Sequence, residues 1–208
     1  MNQVAEASIT TSVHRDDVGA KIGMWLFLFT ELILFGGMFL AYAVYRFTYR
    51  DFFALASKEL DVFVGLINTL ILLTSSLTMA MSITALRRGS KKLSLTFLSI
   101  TIFFALLFLV NKYFEWSAKF HHGLFPGSNE LLTLPRGEII YFGLYYVMTG
   151  LHAVHVIVGM IILIFMFFYI KSGKVNQDYY IMLENSGLYW HLVDIIWIFL
   201  FPLFYLIH

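Results

Sequence analysis

The sequence predicts an all-α fold, an integral membrane bundle of five transmembrane helices. Of the 208 residues, 60% are hydrophobic and only 13% are charged, and the mean hydropathy is +0.79. Soluble domains are about half apolar and a quarter charged, so this composition is not that of a soluble protein. The apolar residues lie in five long stretches that are nearly free of Lys, Arg, Asp and Glu. A helix of about 20 such residues crosses the hydrocarbon core of a bilayer.

The predicted spans, taken in order, cover residues 22–45, 62–86, 93–114, 139–170 and 188–207. The fourth would be about 48 Å long as a straight helix, so we expect it to tilt or to project beyond the membrane. The longest connection, between the third and fourth spans, is too short for a second domain. No internal repeat is visible. Residues 1–208 are therefore predicted to form one transmembrane domain.

Charge and cysteine content exclude several classes of partner and cofactor. The formal net charge is +1, so there is no basic field that would bind nucleic acid. The chain has no cysteine, which excludes disulfides, iron-sulfur clusters, thiolate-ligated haem and copper sites built on cysteine pairs.

Charged residues near the spans predict the orientation in the membrane. The first twenty residues are polar and do not resemble a cleaved secretory signal, so we expect the N-terminus to stay in the cytoplasm. The turn between the second and third spans is rich in positive charge, which also favours the cytoplasmic side. Five spans then place the C-terminus in the periplasm. Six basic residues on the cytoplasmic side are candidates for anionic lipid headgroups, although topology alone explains them equally well: Arg87, Arg88, Lys91, Lys92, Lys171 and Lys174.

Glu31 is an acid inside the first span. It lies nine residues after Ile22, about 14 Å along the helix and close to the bilayer midplane. An ionised carboxylate there costs about 2.5 to 3.5 kcal/mol, so we expect Glu31 to hold a proton at neutral pH. Three roles remain open: a protonated acid hydrogen-bonded to a neighbouring helix for packing, a member of a proton relay, or a residue that orders a bound lipid.

Histidines occur in the fourth and fifth spans at a spacing that metal sites also use. His152 and His155 lie three residues apart on one helical face, and His191 and Asp194 repeat this spacing. His155 lies about 22 Å from the inner end of its span and His191 about 5 Å from the start of its own. This difference in depth argues against a shared metal or an axial haem pair, so we predict hydrogen bonds between helices and no metal site.

Aromatic and acidic residues at the ends of the spans predict contacts with the membrane surface. Trp190 and Trp197 flank His191 and Asp194, and the group is typical of an anchor at headgroup level. His191 and Asp194 are one turn apart and could bond to each other. Glu115 ends the third span and is expected to be solvated near the outer surface.

Five ordered motifs resemble subunit III of the haem-copper terminal oxidases, closest to the bacterial five-helix cytochrome c oxidase form. They begin with Met24-Trp-Leu-Phe-Leu-Phe-Thr-Glu31 and Asn68-Thr-Leu-Ile-Leu-Leu-Thr-Ser-Ser76. They continue with Glu115-Trp116, Thr149-Gly-Leu-His152-Ala-Val-His155 and Leu188-Tyr-Trp190-His191-Leu-Val-Asp194-Ile-Ile-Trp197. Ala153 stands where the family often has Gly.

The resemblance implies an accessory role in aerobic respiratory electron transport in the bacterial inner membrane. In this family the complex reduces oxygen to water with electrons from cytochrome c and pumps protons, and the haem and copper belong to subunits I and II. Subunit III packs on subunit I, binds phospholipid and supports proton uptake and catalytic lifetime. The resemblance places Glu31 on the family's buried glutamate and implies no cofactor and no catalytic residue on this chain.

Two alternatives stay open from the sequence. The chain could be the equivalent subunit of a quinol oxidase or a nitric oxide reductase, which the electron donor would decide. It could also be a stand-alone proton-coupled transporter that uses Glu31, although it lacks repeats and a second midplane acid.

Overall fold

The computed structural model describes residues 16–121 and 123–207, so the predicted cytoplasmic N-terminal segment lies largely outside the described residues. The helices, in chain order, are α1 Asp17–Thr48, α2 Arg50–Ser57, α3 Val62–Arg87, α4 Lys91–His121, α5 Asn129–Leu132, α6 Arg136–Lys171 and α7 Ile181–Tyr205. Among the described residues, α1, α3, α4, α6 and α7 are long and apolar enough to span a membrane. The predicted fold class, an all-helical membrane protein with five spans, is confirmed.

Two of the spanning helices extend well past the predicted spans. α4 continues to His121, seven residues beyond the predicted end, and α7 begins at Ile181, seven residues before the predicted start. The predicted third span contained Lys112 but stopped before Glu115. Glu115 nevertheless lies inside α4, because Lys112 neutralises it within the bundle.

Side-chain caps and a glycine turn fix where several helices begin. The Asp16 carboxylate accepts from Gly19 N at the start of α1, and the Asp61 carboxylate accepts from Phe63 N and Val64 N at the start of α3. Between α3 and α4, Gly89 has φ +78°, a left-handed conformation that a side chain would strain. The result is a tight α3–α4 hairpin.

The two ends of the bundle carry different connections. We call the end with the α3–α4 and α6–α7 connections, residues 88–90 and 172–180, the hairpin end. The other end, where α7 finishes, is the C-terminal end. α3 and α4 pack closely because small hydroxyl side chains meet there: Thr78 Oγ1 lies 2.8 Å from Thr101 Oγ1, and Ser82 Oγ donates to Ser94 O at 2.9 Å.

α7 is the central helix and α1 is peripheral. α7 packs against α1, α3 and α6. The buried residues of α1 are Leu28, Phe35 and Tyr42, spaced seven apart, so α1 meets the bundle along one narrow seam. At the C-terminal end, hydroxyls from three other helices donate to carbonyls in the last turn of α7 and just beyond it: Tyr42 to Leu203 O, Tyr141 to Phe204 O and Ser57 to Ile207 O.

Candidate functional site

Glu31 and His155 form a direct contact between α1 and α6. Glu31 lies near the middle of α1, and its Oε2 is 2.9 Å from His155 Nε2. The side chains are 15% and 13% exposed, so the pair lies at the margin of the bundle rather than in its core. The first-span acid is therefore joined to a histidine of the fourth span.

The second ring nitrogen of His155, Nδ1, is also hydrogen-bonded. Nδ1 lies 2.8 Å from Leu151 O, and because a carbonyl only accepts, Nδ1 must carry a hydrogen. Both ring nitrogens of His155 are therefore hydrogen-bonded, one within α6 and the other to Glu31. The imidazole gives the Glu31 carboxyl a polar partner inside an apolar helix.

His152 has different surroundings from His155. It is fully buried, and its ring lies 5.6 Å from Phe108 and 5.3 Å from Trp197 between centroids. Neither ring nitrogen has a hydrogen-bond partner among the described residues. The predicted bond between helices is therefore found for His155 but not for His152.

His191 and Asp194 do not bond to each other. His191 Nδ1 lies 2.6 Å from Ser76 Oγ on α3. Asp194 is 2% exposed, and neither carboxyl oxygen has a hydrogen-bond partner among the described residues. His191 lies ten residues into α7, about 15 Å, so the shallow depth assigned to it was wrong because the helix starts earlier than predicted. In the part of the chain that the structure describes, no three His, Asp or Glu residues cluster as metal ligands.

Trp190 and Trp197 are not at the membrane surface. Both are fully buried inside the bundle. Trp190 Nε1 donates to Ser75 Oγ at 3.1 Å and Trp197 Nε1 donates to Thr69 Oγ1 at 3.0 Å. The expectation of a headgroup anchor was wrong, because hydroxyls on α3 supply the hydrogen-bond partners that headgroups or water would otherwise provide.

The six basic lipid candidates gather at the hairpin end. Arg87 lies over the Tyr180 ring at 5.0 Å, and Lys174 lies over the Tyr169 ring at 5.4 Å. Lys91 Nζ donates to Lys171 O at 2.9 Å, which ties the two hairpins together. Arg88, exposed, lines a groove of about 390 Å³ beside the start of α4, and Lys92 is also exposed. The arrangement forms a basic rim on one end of the bundle.

A buried polar cluster at the C-terminal end was missed by the sequence reasoning. Lys112 Nζ donates to Glu115 Oε2 at 3.2 Å, to Tyr145 Oη at 3.2 Å and to Tyr205 Oη at 2.7 Å. Both tyrosine hydroxyls also donate to Glu115 Oε1. The Lys112 and Glu115 side chains are 4% and 6% exposed, so the prediction that Glu115 is solvated was wrong. The spacing of three between Lys112 and Glu115 was a signal for this pair.

Comparison with known proteins identifies the family. Residues 2–208 match the family described as cytochrome c oxidase subunit III. The chain is 29% identical to the cytochrome c oxidase subunit 3 of Thermostichus vulcanus, over 89% of this chain and 86% of that protein. It is also 29% identical to the probable quinol oxidase subunit 3 of Staphylococcus saprophyticus, over 90% of this chain and 88% of that protein.

A further relative joins two oxidase subunits in one chain. The heme-copper oxidase subunit I+III of Aeropyrum pernix is 34% identical over 193 residues, 90% of this chain. The match spans only 22% of that longer protein. The family predicted from the sequence motifs is confirmed: the chain belongs to the cytochrome c oxidase subunit III family and is subunit III of a haem-copper terminal oxidase.

Proposed function

We propose that this chain is an accessory, non-redox subunit of a proton-pumping cytochrome c oxidase that reduces oxygen to water. The observation that carries this proposal is the family match over residues 2–208. Haem and copper are held by subunits I and II, and cytochrome c delivers electrons to the complex. The chain itself contributes no catalytic residue and acts through packing, lipid and protonation.

Subunit I is the proposed neighbour in the membrane. The relative from Aeropyrum pernix carries subunits I and III in one chain, which requires the two to reside in one complex. The chain also presents large apolar surfaces that a membrane partner or lipid can cover: Phe29, Ile33 and Leu40 on α1 are 60%, 59% and 67% exposed. In the bacterial inner membrane, the basic hairpin end faces the cytoplasm and the C-terminal end faces the periplasm.

Glu31 and His155 are the proposed link between this subunit, lipid and proton uptake. The hydrogen bond between them lies at the margin of the bundle, where an acyl chain or a residue of a partner subunit can contact it. A closed core position would not allow such contact. The pair therefore suits a role in ordering lipid or supplying protons near subunit I. The basic rim at the hairpin end is the proposed second contact with phospholipid.

Purification of the complex through a tag on this chain tests the assignment. We expect the chain to copurify with haem- and copper-bearing subunits, and the preparation to oxidise reduced cytochrome c. A chain that purifies alone would overturn the proposal and would favour a stand-alone transporter. Oxidation of a quinol instead of cytochrome c would replace the proposed donor, and nitric oxide reduction in place of oxygen reduction would replace the reaction.

Variants at Glu31 test the proposed role of the pair. Glu31→Gln should leave assembly intact, because the amide keeps the shape and a hydrogen bond to His155. Glu31→Ala should lower the bound lipid content or the turnover lifetime more than the initial rate of haem reduction. Leu34→Ala, at an exposed position on the same helix, is the matched control and should change neither. Immediate loss of haem reduction in Glu31→Ala would contradict the non-redox role.

A further inference from the structure

A cavity of about 540 Å³ lies at the C-terminal end between the start of α3 and the last turns of α4. It is separate from the Glu31–His155 pair and from the basic rim at the hairpin end. Glu59 and Asp61 lie at its edge, and Asn111, Glu115 and Lys119 contribute polar groups. The remaining lining is mainly apolar, with Val64, Ile67, Phe114, Ala118 and Leu124. The cavity thus combines charges of both signs with a hydrophobic wall.

Lys119 is the cation of this cavity. Lys119 is only 6% exposed, and its Nζ donates to Glu59 O at 2.8 Å. An ammonium group has three N–H donors, and among the described residues this carbonyl is the only hydrogen-bond acceptor of Nζ. A buried ammonium with open donors next to a cavity is suited to an anionic oxygen from a ligand.

Two acids supply negative charge on the same cavity. Glu59 and Asp61 are both exposed, and the Asp61 Oδ1 atom already caps α3 by accepting from Phe63 N at 2.8 Å. Within the described part of the chain the Glu59 carboxylate forms no ion pair, although its charge acts on Lys119. A ligand that brings an anion to Lys119 therefore meets two carboxylates a short distance away, and it needs a cationic group beside its anion.

The apolar part of the cavity is open to the surroundings of the bundle. Phe63 and Leu66 on α3 are 67% and 45% exposed, and Phe114 on α4 is 66% exposed. Of these, Phe114 lines the cavity together with Val64 and Ile67 of α3, and acyl chains can lie against this apolar lining. The charged part is level with the first turn of α3, the level at which a spanning helix meets the headgroup region.

We propose that this cavity binds the headgroup of a zwitterionic phospholipid with a primary ammonium, the chemistry of phosphatidylethanolamine. The phosphate accepts from Lys119, the ammonium donates to Glu59 and Asp61, and the acyl chains lie along α3 and α4. Phosphatidylglycerol offers the phosphate without the ammonium and leaves both carboxylates unpaired. The quaternary ammonium of phosphatidylcholine has no N–H to donate. The site rests on the proposed lipid-binding role and gives that role a headgroup preference.

Lipid exchange on the intact complex tests the site. The purified complex is washed with detergent, incubated with equal amounts of phosphatidylethanolamine, phosphatidylcholine and phosphatidylglycerol, and the retained lipids are quantified by mass spectrometry. We expect phosphatidylethanolamine to be enriched, and Glu59→Gln to lower the enrichment over phosphatidylglycerol by about threefold, the value of one exposed ion pair. Lys119→Met should lower retention of phosphatidylethanolamine itself.

Matched variants keep the test decisive. Asp51→Asn and Lys58→Met change exposed charges at the same end, outside the cavity, and should leave the enrichment unchanged. Because Lys119→Met could impair folding, Glu59→Gln on the exposed loop is the primary variant. Equal retention of the three lipids, or the same enrichment in the wild type and Glu59→Gln, would overturn the site. If the haem and copper subunits are still attached, either result contradicts only the lipid site and leaves the proposed function unchanged. Loss of those subunits from the wild-type complex would instead contradict the proposed function.

Discussion

Replacing Lys112 with Met should destabilise the C-terminal end of the bundle because it leaves the Glu115 carboxylate buried without its counter-ion. All three N–H donors of Lys112 are used, by Glu115, Tyr145 and Tyr205. Nζ also lies 5.0 Å from the Trp197 ring centroid. The cluster thereby joins α4, α6 and α7, and the substitution removes the centre of a closed network.

The size of the effect follows from the burial of the pair. Lys112 and Glu115 are 4% and 6% exposed, so water replaces the lost partner of the carboxylate only in part, from the cavity that Glu115 lines. Removing one member of a buried ion pair costs about 3 to 5 kcal/mol of unfolding free energy. In the double variant Lys112→Met/Glu115→Gln no charge remains, and the amide oxygen still accepts from the tyrosines. We expect the double variant to recover about 1 to 3 kcal/mol, a favourable coupling between the two sites.

Unfolding in mixed micelles with increasing SDS, followed by tryptophan fluorescence, measures these differences. Trp197 lies in contact with the cluster and reports its opening directly. Lys58→Met, an exposed lysine at the same end, is the control and should change the unfolding free energy by less than about 0.5 kcal/mol. The reasoning is refuted if Lys112→Met costs no more than this control, or if the double variant is less stable than the single one.

Two further predictions concern packing in the core. In Gly159→Ala the added Cβ would lie 2.9 Å from Trp190 Cε3, so overpacking should cost about 1 to 3 kcal/mol in the same unfolding assay. Gly143→Ala, where nothing lies within 4 Å, should be neutral or stabilising, and equal losses in both variants would contradict the packing argument. In variants that retain one tryptophan, the emission of Trp190 and Trp197 should resist both acrylamide and brominated lipid, because both side chains are fully buried. Quenching of Trp190 or Trp197 by acrylamide would contradict their burial and would support the hypothesis of an anchor at headgroup level.

The number and class of the helices followed from hydropathy because lipid imposes one strong constraint. Every backbone polar group in the bilayer must be bonded within the segment, so a long apolar stretch has no alternative to a helix. The helix ends did not follow, because the sequence-based limits treated charge as a boundary. α4 continues past Glu115, which pairs with Lys112 at 3.2 Å, and α7 accommodates Glu184 through an ion pair with Lys21 at 2.8 Å.

The candidate site was only partly accessible from the sequence. Glu31 could be identified from the sequence because an acidic side chain within a membrane-spanning stretch raises the free energy of insertion, whichever side of the helix it is on. Its partner could not be assigned, since His152 and His155 share a helical face and differ in what α1, α4 and α7 place beside them. Tertiary packing gives His155 a carboxyl at 2.9 Å and encloses His152 between Phe108 and Trp197.

The Lys112–Glu115 and His155–Glu31 pairs differ in their exposure and in their number of hydrogen bonds. Lys112 has no free donor and Glu115 accepts on both oxygens, so a proton cannot enter or leave without breaking the cluster that joins three helices. His155 and Glu31 share one hydrogen bond at a partly exposed margin, and the second ring nitrogen of His155 bonds to Leu151 O. This pair joins only α1 and α6, so Glu31 can exchange its partner while the other helices stay in place. We therefore expect the buried pair to stabilise the bundle, and we propose the pair at the margin for contact with lipid or a neighbouring subunit.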